Sequence, residues 1–125
     1  MPYNGIDIIE IGRIRRALDR FGERFLNRIY TAEERKLCGG RVDTLAARFA
    51  SKEAVMKLLG TGRRGVSWRD IETLAHPSGK PRVNLYGGAR REAEKLGIRE
   101  IAVSLAHSRE YAIASAVGGG TPQVT

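Results

Sequence analysis

Residues 45–62 read Leu-Ala-Ala-Arg-Phe-Ala-Ser-Lys-Glu-Ala-Val-Met-Lys-Leu-Leu-Gly-Thr-Gly, and the rest of the chain is organised around them. At about 100° per residue, Val42, Leu45, Phe49, Met56 and Leu59 fall on one side of a helix running from about Val42 to Leu59. Glu53 lies roughly 60° from the centre of that stripe, at the edge of the core. A charge there is costly unless it is paired, protonated or bound to a metal. Lys57 stands one turn on at the favourable i,i+4 spacing, and Gly60-Thr61-Gly62 ends the helix with backbone able to approach a ligand closely. Taken alone, the stretch is a surface ion pair followed by a glycine cap.

Working outward, Tyr3 to Ile11 is dense in β-branched residues and predicts a strand, with Asp7 in its middle. Aspartate is depleted in strands, so Asp7 either faces solvent at an edge or serves a site. From Gly12 to Phe21 the period becomes helical through Ile11, Ile14, Leu18 and Phe21, and Phe25, Leu26, Ile29 and Tyr30 extend it. Thr31 and Glu34 form a capping box for a short helix from Ala32 to about Cys38, which Gly39-Gly40 stops. Beyond the central helix, Val66 to His76 reads as extended, anchored by Trp68 and Ile71. Pro77-Ser78-Gly79-Lys80 turns it back along Pro81 to Tyr86. A helix from Ala89 to Leu96 follows, closed by Gly97. A second hairpin pairs residues 99–107, with Ile101, Val103, Leu105 and His107 on one side, with Tyr111 to Val117. Strand, three helices, hairpin, helix and hairpin predict an α+β domain over residues 1–117, with helices packed on a largely antiparallel sheet. Residues 118–125 are expected to form a flexible tail.

The 125 residues suit one domain. Twenty-two Lys and Arg against fourteen Asp and Glu give a net charge of +8. Six arginines, Arg13, Arg15, Arg16, Arg20, Arg24 and Arg28, crowd one stretch against only Asp19 and Glu23, which points to an acidic partner. A single cysteine, Cys38, excludes an internal disulfide framework and a Cys-based metal cluster. No apolar run approaches the ~20 residues needed to cross a bilayer, and the N-terminus does not read as a secretory signal, so a cytoplasmic protein is expected.

Asp7, Glu53 and His107 are the ionisable groups that stand out. Two carboxylates from separate elements, with no cysteine cluster, suit a hard cation such as Mg²⁺ better than zinc. Arg48, Lys52, Lys57, Gly60-Thr61-Gly62 and Gly79-Lys80-Pro81 offer cations and backbone donors for phosphate. A non-enzymatic basic α+β module binding nucleic acid is the alternative. It leaves both carboxylates unexplained and has few aromatics for base stacking.

Four blocks in order resemble the small holo-acyl-carrier-protein synthases, which are 4′-phosphopantetheinyl transferases. They are Gly-Ile-Asp-Ile-Ile-Glu-Ile at 5–11, Arg-Phe-Ala-Ser-Lys-Glu-Ala-Val-Met-Lys at 48–57 with Gly-Thr-Gly at 60–62, Gly-Lys-Pro at 79–81, and Val-Ser-Leu-Ala-His at 103–107 followed by Tyr-Ala-Ile-Ala. The resemblance covers residues 4–117, and its main departure is Ala106, where Ser or Thr is common. It implies Asp7 and Glu53 as ligands of Mg²⁺ or Mn²⁺, and Lys57 and His107 at the diphosphate of coenzyme A. Arg48, Gly60, Thr61, Gly62, Gly79, Lys80 and Pro81 would help hold coenzyme A. The implied catalytic set is Asp7, Glu53, Lys57 and His107. Arg13, Arg20, Arg24 and Arg28 would dock an acidic carrier protein of fatty-acid or polyketide assembly. The resemblance further implies a homotrimer with coenzyme A between subunits, and neither nucleic acid nor membrane as partner.

Overall fold

The computed structural model describes residues 2–120. The chain runs β1 (Tyr3–Glu10), α1 (Ile11–Phe21), α2 (Glu23–Ile29), α3 (Ala32–Cys38), α4 (Val42–Leu59), β2 (Ile71–Ala75), β3 (Pro81–Leu85), α5 (Gly87–Leu96), β4 (Glu100–His107) and β5 (Tyr111–Gly119). The strands form two antiparallel sheets, one ordered β1-β5-β4 and the other the β2-β3 hairpin. The expected α+β class is therefore observed, with three differences in detail. Four helices rather than three precede the first hairpin, because Gly22 adopts φ 55° and ψ −126° and separates α1 from α2. The stretch expected to be extended from Val66 begins instead with a 3₁₀ turn at Trp68–Asp70, closed by a Ser67–Asp70 capping box, and only Ile71–Ala75 is strand. Gly118 and Gly119 continue β5, opposite Ile101 and Glu100 of β4, where a tail was expected. The remainder of that expected tail, residues 121–125, lies outside the described residues.

The central helix is not one-faced. Leu45, Ala46, Ala47, Ala50, Ser51, Lys52, Ala54, Val55, Met56, Leu58 and Leu59 are all buried, while Val42 and Phe49 of the expected stripe are only partly so. One side of α4 lies on the sheet against β1 and β5, and β2, α1, α3 and α5 surround the rest. A helix walled in on nearly every side needs small residues, which explains its alanines.

The tightest approach is at Gly5, where an added Cβ would stand 2.0 Å from the Ala54 carbonyl oxygen and 2.8 Å from the Leu58 nitrogen. Both obstacles are helix backbone, so Gly5→Ala must push β1 away from α4. A loss of about 2–3 kcal/mol in urea unfolding is expected, and an unchanged midpoint would show that the contact is not tight.

A buried polar cluster ties the layers together. Lys52 and Glu34 are both fully buried and meet at 2.7 Å. The Lys52 ammonium also donates to the carbonyls of Trp68, at 3.0 Å, and Ile71. Glu34 further accepts from the Thr31 and Thr73 amides at 2.9 and 2.8 Å. This overturns the reading of Lys52 as a phosphate contact: its charge is consumed inside the core, joining α3, α4 and the entry to β2.

Candidate active site

β1 carries Gly5, Asp7 and Ile9 on the face turned to α4, because alternate strand residues share a face and Gly5 brings that face onto the helix. Asp7 is thereby set opposite the second half of α4. Lys57 donates to Asp7 Oδ1 at 3.2 Å and to the Ile6 carbonyl at 3.0 Å. The expected Glu53–Lys57 pair does not form, since the ammonium reaches across to β1 instead.

Glu53 is half-buried, and among the described residues it has no cation within ion-pair distance. Burial raises its pKa, and the neighbouring Asp7 carboxylate adds to the rise. Lys57, Arg13 and Arg63 pull the other way. Two carboxylates thus lie near one another beside the C-terminal half of α4. Just past the end of that helix Gly60 and Gly62 have φ of 77° and 56°, and nothing in the fold lies within 4 Å of where their side chains would be. Among the described residues no third His, Cys, Asp or Glu joins the pair in a metal-sized cluster.

The other predicted residues lie elsewhere on the subunit. His107 is exposed at the end of β4 and lines a shallow cleft with Ile11, Arg41, Val42 and Asp43, at the N-terminal end of α4. Asp43 precedes Glu53 by ten residues, about 15 Å of helix. Arg48 is half-buried, its Nε donating to the Thr73 carbonyl at 3.2 Å. Lys80 and Pro81 border an open groove of about 1190 Å³ with Arg82, Arg90 and Arg99. Ala106 points to the exposed face of β4, opposite His107. The chain therefore presents two separate groups, the carboxylates with Lys57 beside the C-terminal half of α4 and His107 with Arg15, Arg41 and Arg109 at the other end. Arg41 and Arg63, which adjoin these two regions, were missed. Each was only a basic residue beside a helix terminus, and proximity between elements leaves no local pattern.

All six arginines between Arg13 and Arg28 are exposed, and none is in an ion pair among the described residues. The Arg20 guanidinium rests 5.3 Å from the centre of the exposed Phe21 ring. The outer face of the β1-β5-β4 sheet is also uncovered, with Ile6 and Ile8 each 59% exposed and Ile113 and Val117 beside them. No helix among the described residues is long and apolar enough to cross a membrane.

Residues 4–116 match the model of the 4′-phosphopantetheinyl transferase superfamily, and the chain belongs to it. A holo-[acyl-carrier-protein] synthase of Dehalococcoides mccartyi is 56% identical over 117 residues, spanning 94% of this chain and 98% of that protein. A synthase of the same name from Roseiflexus castenholzii is 51% identical, with 83% and 81% of the two chains covered. Among solved structures, the Helicobacter pylori holo-[acyl-carrier-protein] synthase in complex with coenzyme A superposes with a TM-score of 0.85 at 32% identity, covering 93% of this chain and 99% of that one. The Neisseria meningitidis synthase gives 0.86 at 36% identity, with 94% and 97% covered. Within the superfamily the chain is thus an enzyme of the holo-[acyl-carrier-protein] synthase family. The nucleic-acid alternative finds no support among these relatives.

Proposed function

We propose that this enzyme transfers 4′-phosphopantetheine from coenzyme A to a serine of an acidic apo-carrier protein, releasing adenosine 3′,5′-bisphosphate, in a Mg²⁺-dependent reaction in the cytoplasm. The observation that carries the reading is the Asp7–Glu53 pair held beside Lys57 and the Gly60–Gly62 loop. Two adjacent carboxylates, one without a cationic partner, are a donor set for a hard divalent cation, which would relieve their mutual repulsion. Bound there, Mg²⁺ would supply charge neutralisation to the diphosphate.

The serine oxygen attacks the phosphorus bearing the pantetheine arm, and the bond from that phosphorus to the bridging oxygen of the nucleotide breaks. The hydroxyl proton passes to a base, Glu53 or a water, and the nucleotide departs with its electron pair as the bisphosphate. Lys57, 57% exposed and only lightly tied to Asp7, is free to turn to the charge growing on the leaving oxygens. His107 lies at the other end of α4 and Lys80-Pro81 in a groove lined by other elements, which supports a site completed between subunits, with those residues supplied by a neighbour. The uncovered isoleucine face of the sheet supports a homotrimer in which it is buried. The unpaired arginines of α1 and α2, chiefly Arg13, Arg20, Arg24 and Arg28, offer the docking surface for the carrier.

Mass spectrometry of an apo-carrier incubated with the enzyme, coenzyme A and Mg²⁺ tests this directly. A gain of one phosphopantetheine group, abolished by chelation, is expected. No gain with any apo-carrier, or an equal gain without divalent cation, would overturn the reading or its metal.

A further inference from the structure

Beyond the glycine loop, the chain builds a platform beside Glu53 that the proposed mechanism does not use. Phe49 precedes Glu53 by one turn of α4, and its ring stacks on Trp68 with centroids 4.8 Å apart and planes 28° from parallel. The Arg63 guanidinium lies 5.2 Å from the centre of the same Trp68 ring. The tryptophan is firmly held. Its carbonyl accepts from the buried Lys52 ammonium, and its turn is closed by Asp70, which also binds the Gly88 amide at 3.2 Å. The next residue, Arg69, donates to the Asn27 carbonyl at 3.2 Å, so the platform is joined to α2, the element bearing Arg24 and Arg28.

Arg63 is exposed and has no acidic partner among the described residues. Both it and Arg13 of α1 act electrostatically on Glu53, so arginines from two different elements are near enough to favour its ionised form. A guanidinium resting on an aromatic ring loses less freedom on binding an anion than one on a free chain. His107, expected at the diphosphate, stands with Val42 and Asp43 at the N-terminal end of α4, whereas the Arg63 platform is tied to α2 through Arg69.

We propose that Arg63, seated on the Trp68–Phe49 stack, is a specificity-determining contact for the acidic carrier protein, gripping acidic side chains close to the incoming serine. This rests on the transferase reading above and adds to the arginines of α1 and α2 an anchor from the segment that follows α4.

The test is steady-state transfer by the intact enzyme, varying apo-carrier at saturating coenzyme A and then the reverse. Arg63→Glu is expected to raise the apparent KM for carrier by about tenfold or more at low salt, with the defect shrinking at high salt. The KM for coenzyme A should stay within about twofold, and Arg63→Lys should recover only part of the carrier affinity, because an ammonium keeps the charge but not the planar stacking on Trp68. An unchanged carrier KM, or a rise confined to or shared equally by coenzyme A, overturns the assignment while leaving the transferase reading intact. Absence of transfer by the unaltered enzyme overturns both.

Discussion

Glu53→Gln is expected to lower kcat/KM for transfer by about 10³-fold, equivalent to about 4 kcal/mol of transition-state stabilisation, without weakening the fold. The amide has the shape of the carboxylate but brings no negative charge to a cation and no base to a serine hydroxyl. Stability should move the other way. Burial and the Asp7 charge raise the pKa of Glu53, so its ionised form is the disfavoured one in the folded protein. With the folded pKa above the unfolded one, metal-free protein loses stability as pH rises from the ordinary carboxylate range through the raised value. The glutamine variant should lack that loss and melt no lower than the parent at neutral pH. Mg²⁺ should raise the Tm of the parent more than that of the variant. Near-normal turnover of the variant at saturating Mg²⁺ would sink the assignment of Glu53.

The second large effect concerns stability. Lys52→Met should cost about 3–5 kcal/mol and lower Tm by roughly 10–20 °C. The substitution removes the cation beside the fully buried Glu34 and leaves the Trp68 and Ile71 carbonyls without their donor. The Lys52 pKa is already lowered by burial, with Glu34 opposing the shift, so removing either partner leaves the other in a low dielectric without its counter-charge. Combining Lys52→Met with Glu34→Gln should recover part of the loss, because the uncompensated charge disappears. A single-variant cost under about 1 kcal/mol in denaturant unfolding would show that the pair contributes little.

The element types were readable wherever a local rule sufficed. The capping box at Thr31–Glu34, the glycine stop after Leu59 and the alternation of β4 each depend on neighbours in sequence, and each is found. The four blocks of resemblance carried the family. The failures share a cause. Lys52 was read as a phosphate ligand because a lysine in a basic helix gives no sign that a buried glutamate will meet it from α3. Glu53 and Lys57 were read as a pair because their spacing permits it, yet the closeness of β1 offers Lys57 the Asp7 carboxylate and the Ile6 carbonyl together.

Sequence by itself determined the α+β class and the family and singled out the carboxylates at Asp7 and Glu53, since hydrophobic period, capping chemistry and motif order are properties of neighbouring residues. Tertiary structure alone decided which groups share a site. Gly5 sets β1 against α4 so that Asp7 is brought to Glu53, Lys52 is withdrawn into the core, and His107 is carried to the opposite end of the helix. Those placements arise from backbone approach and burial between elements distant in sequence, quantities that no local pattern contains.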